Sequence, residues 1–145
     1  MCCDYRIMST EGNIGLNEVN LGITVPFYWH ALMARLISVE KATHLCQFGV
    51  MLSPKDAKAY GLIDEVLPAS EIEILAVKKM EMLLMIPDSG RISVKQYSRS
   101  PFSKEWGDDR RLDKEAAGAW EMLSRPSTVK ALDGVFARLN AKSKI

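Results

Sequence analysis

The chain has 145 residues, a length suited to one domain, and 48% of them are hydrophobic, enough for a sizeable core. Nineteen Lys and Arg against eighteen Asp and Glu leave a formal charge of +1, so no strong field directs the chain to nucleic acid or an anionic membrane. No apolar run approaches the roughly 20 residues of a membrane-spanning helix.

The opening Met1-Cys2-Cys3-Asp4 leads straight into structure, with neither an apolar signal core nor an Arg- and Ser-rich leader. Cys2, Cys3 and Cys46 have no C-x-x-C spacing and read as reduced thiols rather than a metal or redox site. Residues 5–8 alternate polar and apolar, as a short strand does. Residues 9–13 form a turn, 14–16 extend or restart the sheet, and 17–24, with Gly22 and little periodicity, are a loop. Pro26 suits the first position of a helix over 27–37. Ser38 caps a second helix that ends near Gly49.

Ser53-Pro54-Lys55-Asp56 supplies a capping hydroxyl, a proline at the first helical position and an acid two residues later, and Gly61 stops the short helix. Residues 62–67 read as a strand closed by Pro68. Ser70-Glu71-Ile72-Glu73 is a capping box opening a helix to Met85. Beyond Asp88 the pattern is helical: a short helix over 92–98 ending before Pro101, then a longer one capped by Ser103. That helix carries apolar Leu112, Ala116, Ala119, Trp120 and Leu123. After Pro126, Leu132, Val135, Phe136 and Leu139 form one apolar stripe. The class is α/β, with a few short strands around residues 1–68 followed by a mostly helical region over 69–145. So few strands do not close a core unaided, and the chain reads as part of a fold.

Four segments in register stand out: Cys3-Asp4-Tyr5-Arg6-Ile7-Met8, the run from Ile14-Gly15-Leu16-Asn17-Glu18 to Ile23, the unit from Pro54-Lys55-Asp56-Ala57 to Gly61-Leu62-Ile63-Asp64-Glu65-Val66, and the last amphipathic helix over 132–142. Together they resemble the crotonase (enoyl-CoA hydratase/isomerase) superfamily, and its Δ3,Δ2-enoyl-CoA isomerase branch in particular. Hydratases of this superfamily follow the glutamate loop with a glycine-rich run. Here Pro26-Phe27-Tyr28-Trp29 is bulky, as in the isomerases. The resemblance implies the C-terminal half of a crotonase-like ββα spiral. The adenine pocket and both oxyanion-hole N–H groups belong to the half expected before Cys2.

By spacing alone Glu18 is a solvated loop carboxylate; by resemblance it is the catalytic acid/base. Shifting a double bond from C3–C4 to C2–C3 of an acyl-CoA needs a proton removed at C2 and one added at C4, which one carboxylate on one face can do. Two N–H donors must steady the enolate between the steps. Leu16, Leu21, Phe27 and Tyr28 either line an acyl pocket around Glu18 or are plain core residues. His30 and His44 have no metal-ligand spacing to each other or to Cys46, and no metal site is expected. Lys95, Arg110 and Arg111 either meet a CoA phosphate or lie on solvated helix faces.

The resemblance further implies an acyl-CoA substrate, no cofactor beyond the coenzyme A that is part of it, a homotrimer built on the C-terminal helices, and a role in fatty-acid β-oxidation. It points to the mitochondrial matrix, with the peroxisome the other organelle. Two other readings stay open: a catalytically weak or inactive chain acting through subunit association, and hydratase-type chemistry.

Overall fold

The computed structural model describes residues 1–142, so residues 143–145 of the expected helical region lie outside the described residues. Two short strands, β1 (Ile7–Ser9) and β2 (Glu65–Leu67), pair in parallel with Ile7 opposite Glu65 and Ser9 opposite Leu67. Between them run α1 (Phe27–Ile37), α2 (Val39–Gln47) and α3 (Pro54–Tyr60). After them come α4 (Ala69–Leu84), α5 (Asp88–Trp106), α6 (Asp109–Leu123) and α7 (Pro126–Lys142).

A fork of hydrogen bonds ties the two strands at their entry. Arg6 donates from Nε and Nη2 to the two carboxylate oxygens of Asp64, each at 2.8 Å, and its backbone N–H donates to Asp64 Oδ2 at 2.8 Å. The Arg6 carbonyl accepts from the backbone N–H groups of Asp64 and Glu65 at 2.9 and 3.1 Å. Bidentate pairs of this kind fix geometry as well as adding energy. The Arg6 guanidinium holds the Asp64 carboxyl below its usual range, against the opposing pull of burial.

The core lies among α1, α2, α3 and the segments flanking them, with Met33, Ile37, Leu45, Leu52, Ala57 and Leu62 at its centre. Ser53 accepts from the Asp56 N–H at 3.2 Å and α3 ends on Gly61 in the left-handed region, as its sequence specifies. Ser38 closes α1 and caps α2 in one residue, at φ +92°, a backbone strained for any side chain.

Several expected boundaries move. Strand signal over 5–8 and 62–67 yields strands of only 3 residues, because pairing begins after the Arg6–Asp64 fork. Residue 14 makes an isolated antiparallel bridge to Leu52 rather than a strand. Helix α4 starts at Ala69, before Ser70, and its N-cap position is Pro68, so the Ser70–Glu73 box does not cap it. Helix α5 runs unbroken through Pro101 to Trp106, merging the two helices expected there, and Asp108 rather than Ser103 caps the next. Pro101 has no N–H for the carbonyl of exposed Tyr97, which water is free to satisfy. Past the proline, Phe102 and Trp106 pack on Tyr28, and this burial offsets the lost bond.

Replacing Arg6 by Ala is expected to cost about 1–3 kcal/mol at neutral pH, since it strands the half-buried Asp64 carboxylate. The Asp64 carboxyl titrates lower in the folded chain than in the unfolded one, so its contribution is present above the ordinary carboxylate range and disappears as pH falls. Urea melts of Arg6→Ala should therefore lose less stability than the parent between neutral and acidic pH. Equal losses in both would contradict the role of the fork.

Candidate active site

Glu18 opens a 3₁₀ turn, Glu18–Leu21, which Gly22 closes at φ +74°. The turn is held from three sides. Before it, Ile14 and Leu52 exchange backbone hydrogen bonds at 3.0 and 2.9 Å, and Gly15 lies so close to the neighbouring chain that a Cβ there would sit 2.5 Å from the Val50 carbonyl oxygen. Within the turn, the Asn20 side-chain amide donates to the Gly49 carbonyl at 3.2 Å, just past the end of α2. Gly49 has φ +59°, and a Cβ on it would fall 2.6 Å from the Asn20 amide. At its end, Gly22 faces Thr128 of α7, a hydroxyl residue only 2% exposed.

The result is an unusual carboxylate. Glu18 Oε2 is shielded from solvent and has no hydrogen-bond partner among the described residues. A shielded carboxyl oxygen without a partner is costly, and such groups are retained where chemistry uses them. Its neighbour Cys46, on α2, is 6% exposed, and burial with the nearby Glu18 carboxylate pushes its thiol pKa up.

Beside this turn lies a cavity of about 770 Å³, within the 300–1,000 Å³ typical of ligand pockets. Val19, next to Glu18, and Cys46 line it, together with Phe27 and His30 of α1. The opposite wall is one face of α6, with Leu112, Ala116, Ala119 and Met122. Most of this lining is apolar, with polar groups concentrated at His30, Thr43, Gln47 and Glu115.

The five site residues read from the sequence fall in different places. Phe27 lines the cavity; Glu18 itself does not, although its chain neighbour Val19 and Cys46, whose thiol feels the Glu18 charge, both do. Leu16 belongs to the core, and Leu21 sits half-buried in the Glu18 turn; neither lines the cavity. Tyr28, 2% exposed, turns the other way, stacking on Trp106 at 5.5 Å and donating its hydroxyl to the Glu105 carbonyl at 2.6 Å. Sequence reasoning missed Asn20, Gly49 and Thr128 as the anchors of the turn, because each acts across a distance no local pattern encodes. It placed α6's Leu112, Ala116 and Ala119 on an apolar face without indicating that the face borders a cavity.

Of the remaining candidates Arg110 lies exposed on α6, and the others have partners. His30 pairs with the Thr43 hydroxyl at 3.1 Å, and His44 packs on Phe48. Lys95 donates to Asp4 at 2.6 Å, and Arg111 bonds Glu105. Among the described residues no three His, Cys, Asp or Glu side chains converge as metal ligands, and no helix is long and apolar enough to cross a membrane.

Residues 1–118 match the enoyl-CoA hydratase/isomerase family model. The chain belongs to that family. Mitochondrial enoyl-CoA delta isomerase 1 of Mus musculus is 32% identical across 98% of this chain, and that of Homo sapiens 28% identical across 96%. The crystal structure of human mitochondrial delta3-delta2-enoyl-CoA isomerase superposes with a TM-score of 0.85 over 97% of this chain, at 27% identity. An enoyl-CoA hydratase from Bacillus halodurans shares the crotonase-like fold, with a TM-score of 0.74 at 18% identity. The chain spans about half the length of the relatives it matches, 49% of the mouse protein and 54% of the human structure. Family membership thus accords with the α/β, mostly helical architecture and its short two-stranded sheet.

The three anchors predict that Gly15→Ala will be severe, since the contact it creates is with backbone rather than a yielding side chain. We expect a loss of about 2–4 kcal/mol in thermal or urea melts, in the range of overpacking and strain combined. A variant as stable as the parent would show that the Ile14–Leu52 approach does not hold the turn.

Proposed function

We propose that the chain carries the acid/base half of a Δ3,Δ2-enoyl-CoA isomerase, with Glu18 shuttling one proton. The observation that carries this reading is the shielded, unpartnered Glu18 oxygen beside an apolar cavity. Glu18 takes a proton from C2 of a 3-enoyl thioester, the electron pair moves through the dienolate, and the same carboxyl returns a proton at C4. The double bond then lies at C2–C3, Glu18 is again ionised, and no cofactor is consumed. The mouse and human relatives named as enoyl-CoA delta isomerases support the isomerase over the hydratase reading, as does the bulky Pro26-Phe27-Tyr28 run.

The resemblance assigns the enolate's two N–H donors to the half of the family fold that these residues do not span. Loss of one such donor costs about 10²–10³ in rate, so full activity requires that half. The substrate is an acyl-CoA of fatty-acid β-oxidation, and the mitochondrial names of these relatives favour the mitochondrial matrix over the peroxisome.

A second reading, association between subunits, draws on a different observation. Helix α4 packs one face towards β1, yet Ile74, Val77, Met80, Leu84 and Met85 leave its other side apolar and exposed. A helix apolar on both sides belongs inside an assembly. Phe136 and Leu139 of α7 are exposed as well. We assign these faces to a homotrimer.

Purified chain is expected to convert 3-hexenoyl-CoA to the 2-trans isomer, with Glu18→Gln lowering the rate by at least about 10²-fold, the usual scale of acid/base catalysis. A parent rate no greater than that of Glu18→Gln would contradict the assignment. Light scattering should give three times the chain mass, and a monodisperse monomer would remove the association reading.

A further inference from the structure

The wall that α6 contributes to the cavity stands off from α1; outside the lining Arg111 donates to the Tyr28 hydroxyl at 3.5 Å, and along the cavity itself the helix is pinned at two points. Glu115 Oε1 accepts the Phe27 backbone N–H at the start of α1, at 2.7 Å. Two helical turns on, the Thr24 hydroxyl donates to Met122 Sδ at 3.3 Å. Both pins are side chains long enough to span a gap. Between them the cavity-lining residues of α6 are Ala116, Gly118 and Ala119, which are too short to cross it. The gap is real at Gly118: a Cβ built there meets no atom within 4 Å.

A helix held at arm's length by two long residues, with small ones between, maintains a slot. Val19, next to Glu18 in the chain, and Cys46, whose thiol feels the Glu18 charge, line the slot. On the α1–α2 side, the His30–Thr43 pair at 3.1 Å and Gln47 set polar groups along the wall. An apolar chain entering from the Glu18 end therefore runs along α6 until it meets polar surface or a bulky side chain.

We infer that the small residues of α6, Gly118 foremost, set how long an acyl chain this site accepts. This rests on the acyl-CoA reading above and extends it from the reacting carbons to the far end of the substrate. Gly118 is the position to alter, because nothing in the fold requires glycine there. Its backbone lies outside the left-handed region, no neighbour crowds it, and most residues favour a helix interior more than glycine does.

The test is direct binding of hexanoyl-CoA and decanoyl-CoA to the full chain and to Gly118→Leu, by calorimetry. The parent should bind decanoyl-CoA more tightly, since each buried methylene adds affinity. In Gly118→Leu the decanoyl affinity should fall at least ten-fold while the hexanoyl affinity stays within two-fold. Circular dichroism melts confirm that the variant folds, and Gly118→Ala should give an intermediate loss. A parent that binds both lengths equally, or a Gly118→Leu variant that keeps its decanoyl affinity, overturns the inference. The readout is binding and does not involve Glu18. Length-selective binding without turnover would therefore contradict the isomerase assignment alone, and turnover without length selectivity would contradict this inference alone.

Discussion

The site depends on a close approach of two backbones. Gly15 passes the Val50 carbonyl at a distance that admits no side chain, and this lets Ile14 and Leu52 exchange a pair of hydrogen bonds. From that point the chain can turn only into the space beside α2, where Asn20 reaches Gly49 and Gly22 meets buried Thr128. With the backbone pinned before, within and after the turn, one Glu18 carboxyl oxygen is kept shielded from solvent. Rigid anchoring of a costly group is how folds keep an unpartnered polar atom in place, with the surrounding packing supplying the stability that it subtracts.

The rest of the helical layer serves that turn in two ways. Core packing among α1, α2 and α3 fixes α2, whose end holds the Asn20–Gly49 contact. The aromatic cluster of Tyr28, Phe102 and Trp106 draws α5 against α1, and the Arg111–Glu105 pair continues that link into α6. Helix α6 is thereby held near α1 without filling the space between them. The cavity is a consequence of that spacing.

Much of the local architecture was legible because the signals were short-range. Ser53, Pro54 and Gly61 delimit α3 through caps that involve only neighbouring residues, and Ser38 ends α1, whereas Pro26 takes the extended N-cap position just before α1 rather than its first helical position. Legibility failed where tertiary packing outweighed local preference. Pro101 does not break α5, because the residues after it gain more from Tyr28 than the proline costs, and the Ser70 box is left idle because Pro68 starts α4 sooner. Glu18 was distinguished from other loop carboxylates by its flanking residues, which resemble a family, and not by any property of its spacing. The direction of Tyr28, inward to an aromatic cluster while its neighbour Phe27 lines the cavity, is set by partners 74 and 78 residues away, at Phe102 and Trp106, and so lies beyond any pattern in its own helix.

The central claim is that the clamped Glu18 carboxylate takes a proton from the carbon next to a thioester. Hydrogen exchange at that carbon tests it without requiring the whole isomerisation. The chain, incubated with 3-hexenoyl-CoA in deuterated water, should introduce deuterium at C2, read by mass spectrometry, at a rate that Glu18→Gln abolishes. Exchange that proceeds equally in the Glu18→Gln chain, or none above the protein-free control, would contradict the account.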